Sequence, residues 1–265
     1  MSATSPSPTA APRALRHRRS ARRLTAGQKA DLRAAVAAAQ GIGDDRGYQR
    51  WAGVHGLPLP ISCTHHSELF LPWHRAYLYL FEKALQEQVP GVTLPWWDWT
   101  ANHAEGIPAA YARQRVDGRK NPLFDSPIQA SGRERPSQTR TTRRPESPGQ
   151  LPTPAAVEAI LANRDFPTFQ TQLESIHDGV HVWVGGTMES IATAAYDPIF
   201  WAHHCMIDRL WYLWQLRHPG ASVPARLLDR ALAPFPLTVR DTLSVTRLGY
   251  DYAASTAAAG GPGHG

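Results

Sequence analysis

The chain has 265 residues, 42% hydrophobic and 19% charged, which is enough for one sizeable core and too apolar for a disordered protein. Two cysteines, Cys63 and Cys205, exclude a disulfide framework, and no run reaches the roughly 18 apolar residues of a membrane span. The net charge of +6 raises the question of nucleic acid, but its arginines crowd two segments without apolar period. Arg13, Arg16, Arg18, Arg19, Arg22 and Arg23 form one, and Arg133, Arg135, Arg140, Arg143 and Arg144 lie in a Pro/Ser/Thr-rich stretch. Such runs read as solvated segments, so neither nucleic acid nor a membrane is the expected partner.

Residues 1–23 read as a flexible basic arm with no apolar stretch of a secretory signal, which leaves the expected location as the cytoplasm or open. Residues 24–252 read as a single domain. Thr25 is the expected N-cap of a helix over residues 26–40, which Gly41, Gly43 and Asp44 break. A second helix runs through Tyr48, Trp51 and Val54 to His55 and ends at Gly56 and Pro58. Pro72 opens a long helix to about Gln88, because a first-turn proline forfeits no helical hydrogen bond; Tyr77, Phe81 and Leu85 widen its apolar stripe. Residues 94–99 are short, aromatic and irregular or strand-like. Residues 104–154 carry little period and much Arg, Pro and Ser, as a long surface loop does. Helical patterning returns over 154–162 and 167–181, pauses at Gly185 and Gly186, and resumes at Asp197-Pro198 as far as Arg217. Residues 253–265 read as a disordered tail. The expected fold is mainly α, a four-helix bundle with long irregular loops.

Twelve histidines exceed what packing alone requires, and imidazole suits zinc, copper, iron and nickel. His177 and His181, four apart on one helix, project from one face and can grip one metal. A zinc protease would carry Glu after the first of them, where Asp178 stands. His203 and His204 are adjacent on the last helix and cannot face the same way, so only one is a ligand. Asp208 lies four residues beyond His204, where a carboxylate can orient a ligating imidazole. In the first half, His55, His65 and His74 are ten and nine apart. Three nitrogens from each half, without a carboxylate, make a site poor for Mg or Ca and suited to copper.

Longer motifs surround these histidines. Cys63-Thr64-His65, Phe70-Leu71-Pro72-Trp73-His74-Arg75, Leu94-Pro95-Trp96-Trp97-Asp98-Trp99, His177-Asp178-Gly179-Val180-His181 with Val182-Trp183-Val184-Gly185-Gly186, and Asp197-Pro198-Ile199-Phe200-Trp201-Ala202-His203-His204 stand in order. With Asp208-Arg209-Leu210-Trp211, they resemble the tyrosinase, catechol oxidase and hemocyanin family of dicopper proteins over about residues 24–217. The resemblance implies that the bundle encloses a dinuclear copper site. His55, His65 and His74 would hold one ion and His177, His181 and His204 the other, with His203 lining the substrate pocket. It further implies O2 as co-substrate and a small phenol or catechol as substrate. A thioether between Cys63 and His65 and a copper-delivery protein occur in some members.

The same resemblance implies oxidation of o-diphenols to o-quinones and ortho-hydroxylation of monophenols, a tyrosinase reaction that needs a base. Glu174 matches a family glutamate that positions a water, and Asp178 stands where efficient hydroxylators often carry Asn, which leaves the monophenol activity open. Met188, Ile191, Ala194 and Ala195 supply no aromatic blocker, so an open pocket mouth is expected. About sixty residues follow the last ligand, which disfavours a shielded oxygen carrier of the hemocyanin kind. Catechol oxidase without strong monophenol activity and o-aminophenol oxidase share every motif.

Overall fold

The computed structural model describes residues 15–57, 62–100, 106–129 and 138–252. In chain order its elements are β1 (Arg16–Arg18), α1 (Ala26–Gly41), α2 (Tyr48–His55), α3 (Phe70–Gln88), α4 (Ala109–Ala112), β2 (Arg115–Val116), β3 (Arg119–Lys120), α5 (Pro154–Leu161), α6 (Phe166–Val184), α7 (Pro198–Arg217), α8 (Val239–Thr242) and β4 (Tyr250–Tyr252). Helices α1, α6 and α7 begin where side chains satisfy first-turn N–H groups, whereas α2 and α3 start without a side-chain cap. Thr25 and Gln28 cap α1 reciprocally, Asp165 accepts from Thr168 at α6, and Asp197 accepts from Ile199 at α7. The long helices are the expected ones, except that α3 starts two residues before Pro72 and α6 continues past His181 to Val184.

Helix α7 is the central element. Every residue from Pro198 to Trp211 is buried, as in a helix enclosed on all sides, and α3, α5 and α6 pack against it. Phe81 of α3 stacks on Trp201 of α7 with centroids 3.6 Å apart. The Trp201 indole N–H donates to the Tyr48 hydroxyl at 3.0 Å, and that hydroxyl donates to the Tyr196 carbonyl at 3.2 Å. This aromatic layer joins α2, α3 and α7 with its polar atoms satisfied, and each such ring contributes about 1.5–3 kcal/mol by burial.

The basic arm expected over residues 1–23 does not extend through its last third. Strand β1 pairs in parallel with β4, Arg16 opposite Tyr250 and Arg18 opposite Tyr252. Arg18 is fully buried: it donates to Glu82 at 2.9 Å, to Asp208 at 3.3 Å and to the Tyr252 hydroxyl at 3.1 Å, and its guanidinium lies 3.7 Å over the Tyr250 ring. The partners lie 64 to 234 positions away, so no local pattern announces them. Residues 1–14 and 253–265 lie outside the described residues.

Residues 106–129 and 138–152 are likewise fastened to the core. Arg143 donates from Nε to both Asp197 oxygens, at 2.9 and 2.8 Å, from Nη1 to the Tyr111 carbonyl and from Nη2 to the Leu123 carbonyl. Because Asp197 also caps α7, the long loop is pinned to the start of the helix that carries His204. Gly186 turns the chain after α6 with a φ of +62°, and a Cβ there would stand 2.2 Å from the Thr142 carbonyl oxygen, so only glycine fits.

Candidate metal centre

Four helices and one loop direct histidines into a single buried space. His55 ends α2, His65 precedes α3, His74 sits near the start of α3, His177 and His181 are one turn apart on α6, and His204 is on α7. The ring centroids of His55, His65 and His74 are 5.2, 5.7 and 5.1 Å apart, and those of His177, His181 and His204 are 4.4, 4.7 and 5.4 Å apart. The triads meet where His74 and His204 lie 4.6 Å apart and His65 faces His177 at 5.7 Å. All six histidines singled out in the sequence are brought together.

Hydrogen bonds fix which nitrogen faces the space. Nδ1 of His55 donates to the Ile191 carbonyl at 3.2 Å, that of His74 to Phe70 at 2.9 Å and that of His181 to Met188 at 2.8 Å; that of His177 donates to the Asp178 carboxylate at 3.0 Å. A carbonyl or carboxylate only accepts, so each Nδ1 carries the proton and each Nε2 presents a lone pair. His204 Nε2 lies 3.1 Å from that of His177 and 3.2 Å from that of His181. Nε2 of His55 and of His74 is buried without a hydrogen-bond partner among the described residues. Converging lone pairs that lack a donor call for a cation, which relieves a cost of about 1–3 kcal/mol per unsatisfied buried group. Burial pushes the charged forms of His55, His74, His177 and His204 far below the ordinary histidine range and takes His65 and His181 to about 4. The rings are therefore neutral, as ligation requires.

His203 was expected on the pocket wall, and the structure corrects this. It is fully buried behind His177, its ring stacked at 5.1 Å, and lines no part of the cavity. By proximity it belongs with His177, His181 and His204. Its Nδ1, however, faces the Trp99 indole N–H at 3.2 Å, and indole nitrogen only donates. The His203 proton therefore sits on Nε2, which has no lone pair to offer.

Asp208 also differs from expectation. It does not hold His204, whose Nδ1 has no hydrogen-bond partner among the described residues. Its carboxylate takes the Arg75 Nε–H, the Tyr252 hydroxyl, the Tyr250 hydroxyl at 2.8 Å and Arg18 at 3.3 Å. Arg75 directly follows His74 on α3, and its Nη1 reaches Gln215 and the Thr242 carbonyl at 3.0 Å each. Asp208 thus braces the two helices that carry His74 and His204 rather than orienting one imidazole.

A cavity of about 230 Å³ opens on the imidazoles. Met188, Ile191 and Ala194 line it as expected; Ala195 does not, being buried with its carbonyl toward the Tyr48 hydroxyl. No described residue of the 106–152 segment lines it. His66 and Asp178 are shared with an adjoining cavity of about 430 Å³, where Glu174 stands. Glu174 is 4% exposed, its Oε1 accepts the His66 N–H at 2.6 Å, and burial pushes its carboxyl up to about 7. A wider cleft of about 810 Å³, beside Trp183 and Phe124, has no imidazole on its lining.

Several contributors escaped the sequence reading. Phe200 packs 4.0 Å from His204 and 4.8 Å from His55, between the triads. The carbonyls of Phe70, Met188 and Ile191 set tautomers, and backbone atoms carry no sequence signal. Val182, Glu189 and His66, the last with a φ of +50°, complete the cavity lining.

Six neutral imidazoles, grouped by ring distance into two sets of three with His204 also within reach of His55 and His74, fit a dinuclear copper centre, since such donors suit copper and suit Mg or Ca poorly. The pattern described as the common central domain of tyrosinase matches residues 45–217, and the chain belongs to the tyrosinase family. It is 38% identical over 185 residues to a tyrosinase of Streptomyces glaucescens, covering 59% of this chain and 66% of that protein. A functional unit of octopus hemocyanin superposes with a TM-score of 0.79 at 28% identity, over 90% of this chain and 68% of that one. A tyrosinase from Burkholderia thailandensis does so with a TM-score of 0.79 at 25% identity, over 94% and 76%. No helix among the described residues is long and apolar enough to cross a membrane.

Proposed function

We propose that this chain is a copper-dependent phenol oxidase that converts o-diphenols to o-quinones with O2 and ortho-hydroxylates monophenols. The observation that carries the reading is the convergence of two three-imidazole sets, His55, His65, His74 and His177, His181, His204, beside a cavity sized for one ring. Copper held by these sets would supply dioxygen binding and accept two electrons from the substrate. The protein's own part is positional: the carbonyls behind the rings fix their directions, and buried Met188, Ala194 and Phe200 keep water from the reacting face. A catechol releases two protons as it becomes a quinone, and a monophenol must lose one before hydroxylation. Glu174 and Asp178 border the shared wall beside His177 and are the groups placed to hold the water that takes it.

In Asp178→Asn the amide oxygen still accepts the His177 Nδ1–H while the negative charge is lost. Copper content is expected to stay at the wild-type level, and the ratio of tyrosine to catechol turnover to rise several-fold; an unchanged ratio removes Asp178 from the proton path. Cys63 Sγ lies 3.3 Å from His65 Nδ1, one bond from the ring carbon that a thioether would join. If the bond forms on exposure to copper and O2, intact mass falls by two hydrogen atoms relative to Cys63→Ser after correction for the substitution; no deficit leaves Cys63 a thiol.

The open rim, with Val182 56% and Ile191 44% exposed, favours turnover over oxygen carriage. Oxygen uptake with catechol, tyrosine and an o-aminophenol tests the reading: catechol consumption is required, and exclusive use of the aminophenol would assign the chain to o-aminophenol oxidation. Copper loading without a second protein tests whether a delivery partner is needed.

A further inference from the structure

The lining of the 230 Å³ cavity is graded from floor to rim. Met188 and Ala194 are 1% exposed and His177 2%, whereas Val182 and Ile191 stand open and the Glu189 side chain is 47% exposed. A cavity of about 150 Å³ takes a benzene ring, so this one holds a single ring with a short substituent. A ring seated against the imidazoles would leave that substituent toward the rim, where Val182, Ile191 and Glu189 complete the lining.

Glu189 is fixed rather than free. Its Oε1 accepts the Gly186 N–H at 3.1 Å, within the turn whose Met188 carbonyl holds His181. Asp178 is the second carboxylate on the lining, and no Lys or Arg of the described residues lines the cavity. Arg144 comes within 3.9 Å of Glu189 but is 78% exposed, where water screens the pair. The chain's net charge of +6 draws anions from a distance, yet salt screens charges beyond about 8 Å, so the local carboxylates set the sign at the rim.

We infer that Glu189 is a specificity determinant: within the phenol oxidase reading, on which this inference rests, it selects one-ring phenols and catechols bearing a cationic amine on a short chain over those bearing a carboxylate. Dopamine, dihydrocaffeate and methylcatechol share a ring and differ in substituent charge. With copper-loaded protein at about 0.15 M salt, where the net charge is screened, kcat/KM for dopamine is expected to exceed that for dihydrocaffeate by about tenfold, each normalised to methylcatechol, and the ratio to shrink as more salt is added. Glu189→Gln brings the ratio to within about threefold of unity, because one of the two rim carboxylates is gone. Equal values in the wild type, or a ratio that Glu189→Gln leaves in place, overturn the inference. If none of the three is oxidised, the oxidase reading fails by itself. Calorimetric binding of phenethylamine against phenylpropanoate then decides the inference: tighter binding of the amine supports it, and equal or reversed affinities overturn it.

Discussion

His204→Ala is expected to remove about one copper per chain and to lower catechol turnover by more than about a thousandfold, whereas His203→Asn retains both ions. The two histidines are adjacent, equally buried and equally near His177 and His181, so proximity does not separate them. The hydrogen-bond chemistry does. His204 Nε2 points at two lone-pair nitrogens within 3.2 Å, while His203 must keep its proton on Nε2 to accept from Trp99 at Nδ1. In His203→Asn the amide oxygen takes over as acceptor of the indole N–H, so the buried donor stays paired. Copper by atomic absorption and oxygen uptake check both variants. Loss of metal from His203→Asn with retention in His204→Ala would reverse the assignment.

Asp208→Asn is expected to cost about 3–5 kcal/mol, because it leaves the Arg75 guanidinium buried beside a neutral amide, while Arg18 keeps its ion pair with Glu82. For a chain of this length each kcal/mol moves Tm by about 2–4 °C, so calorimetry of the copper-free protein should show a fall of roughly 6–20 °C. An unchanged Tm would remove the network from the account of stability. The same residue gives an acid signature. Burial raises the Asp208 carboxyl, and the Arg75 and Arg18 charges more than offset this, holding it below the usual carboxylate range. A depressed carboxyl contributes stability that is present above the unfolded value of about 3.9 and is lost as pH falls through the folded value. Wild type is therefore expected to lose stability more steeply than Asp208→Asn below about pH 4.

Local rules made the helices legible. Thr25, Asp197-Pro198 and the Gly185-Gly186 stop act within one turn of the backbone they shape, and the starts of α1 and α7 and the end of α6 lie where those residues place them. The six histidines were legible because they recur with ordered motifs. What stayed hidden was non-local. Arg18 looks like one more cation in a basic tail until Glu82, Asp208, Tyr250 and Tyr252 surround it, and Arg143 looks solvated until it meets Asp197. Asp208 sits at the correct helical spacing from His204, but spacing fixes only the face, and the buried Arg75 on a neighbouring helix competes for that carboxylate and wins. His203 shows the same limit, since its role turns on the tautomer that a tryptophan 104 positions away imposes.

The central claim is that two imidazole triads hold a pair of coppers close enough to act on one small molecule. Metal analysis of the loaded protein, combined with an absorption spectrum after addition of peroxide, tests it most directly. Two coppers per chain and an intense near-ultraviolet charge-transfer band are the predicted result. A single copper per chain, zinc in its place, or two coppers without the band would contradict it.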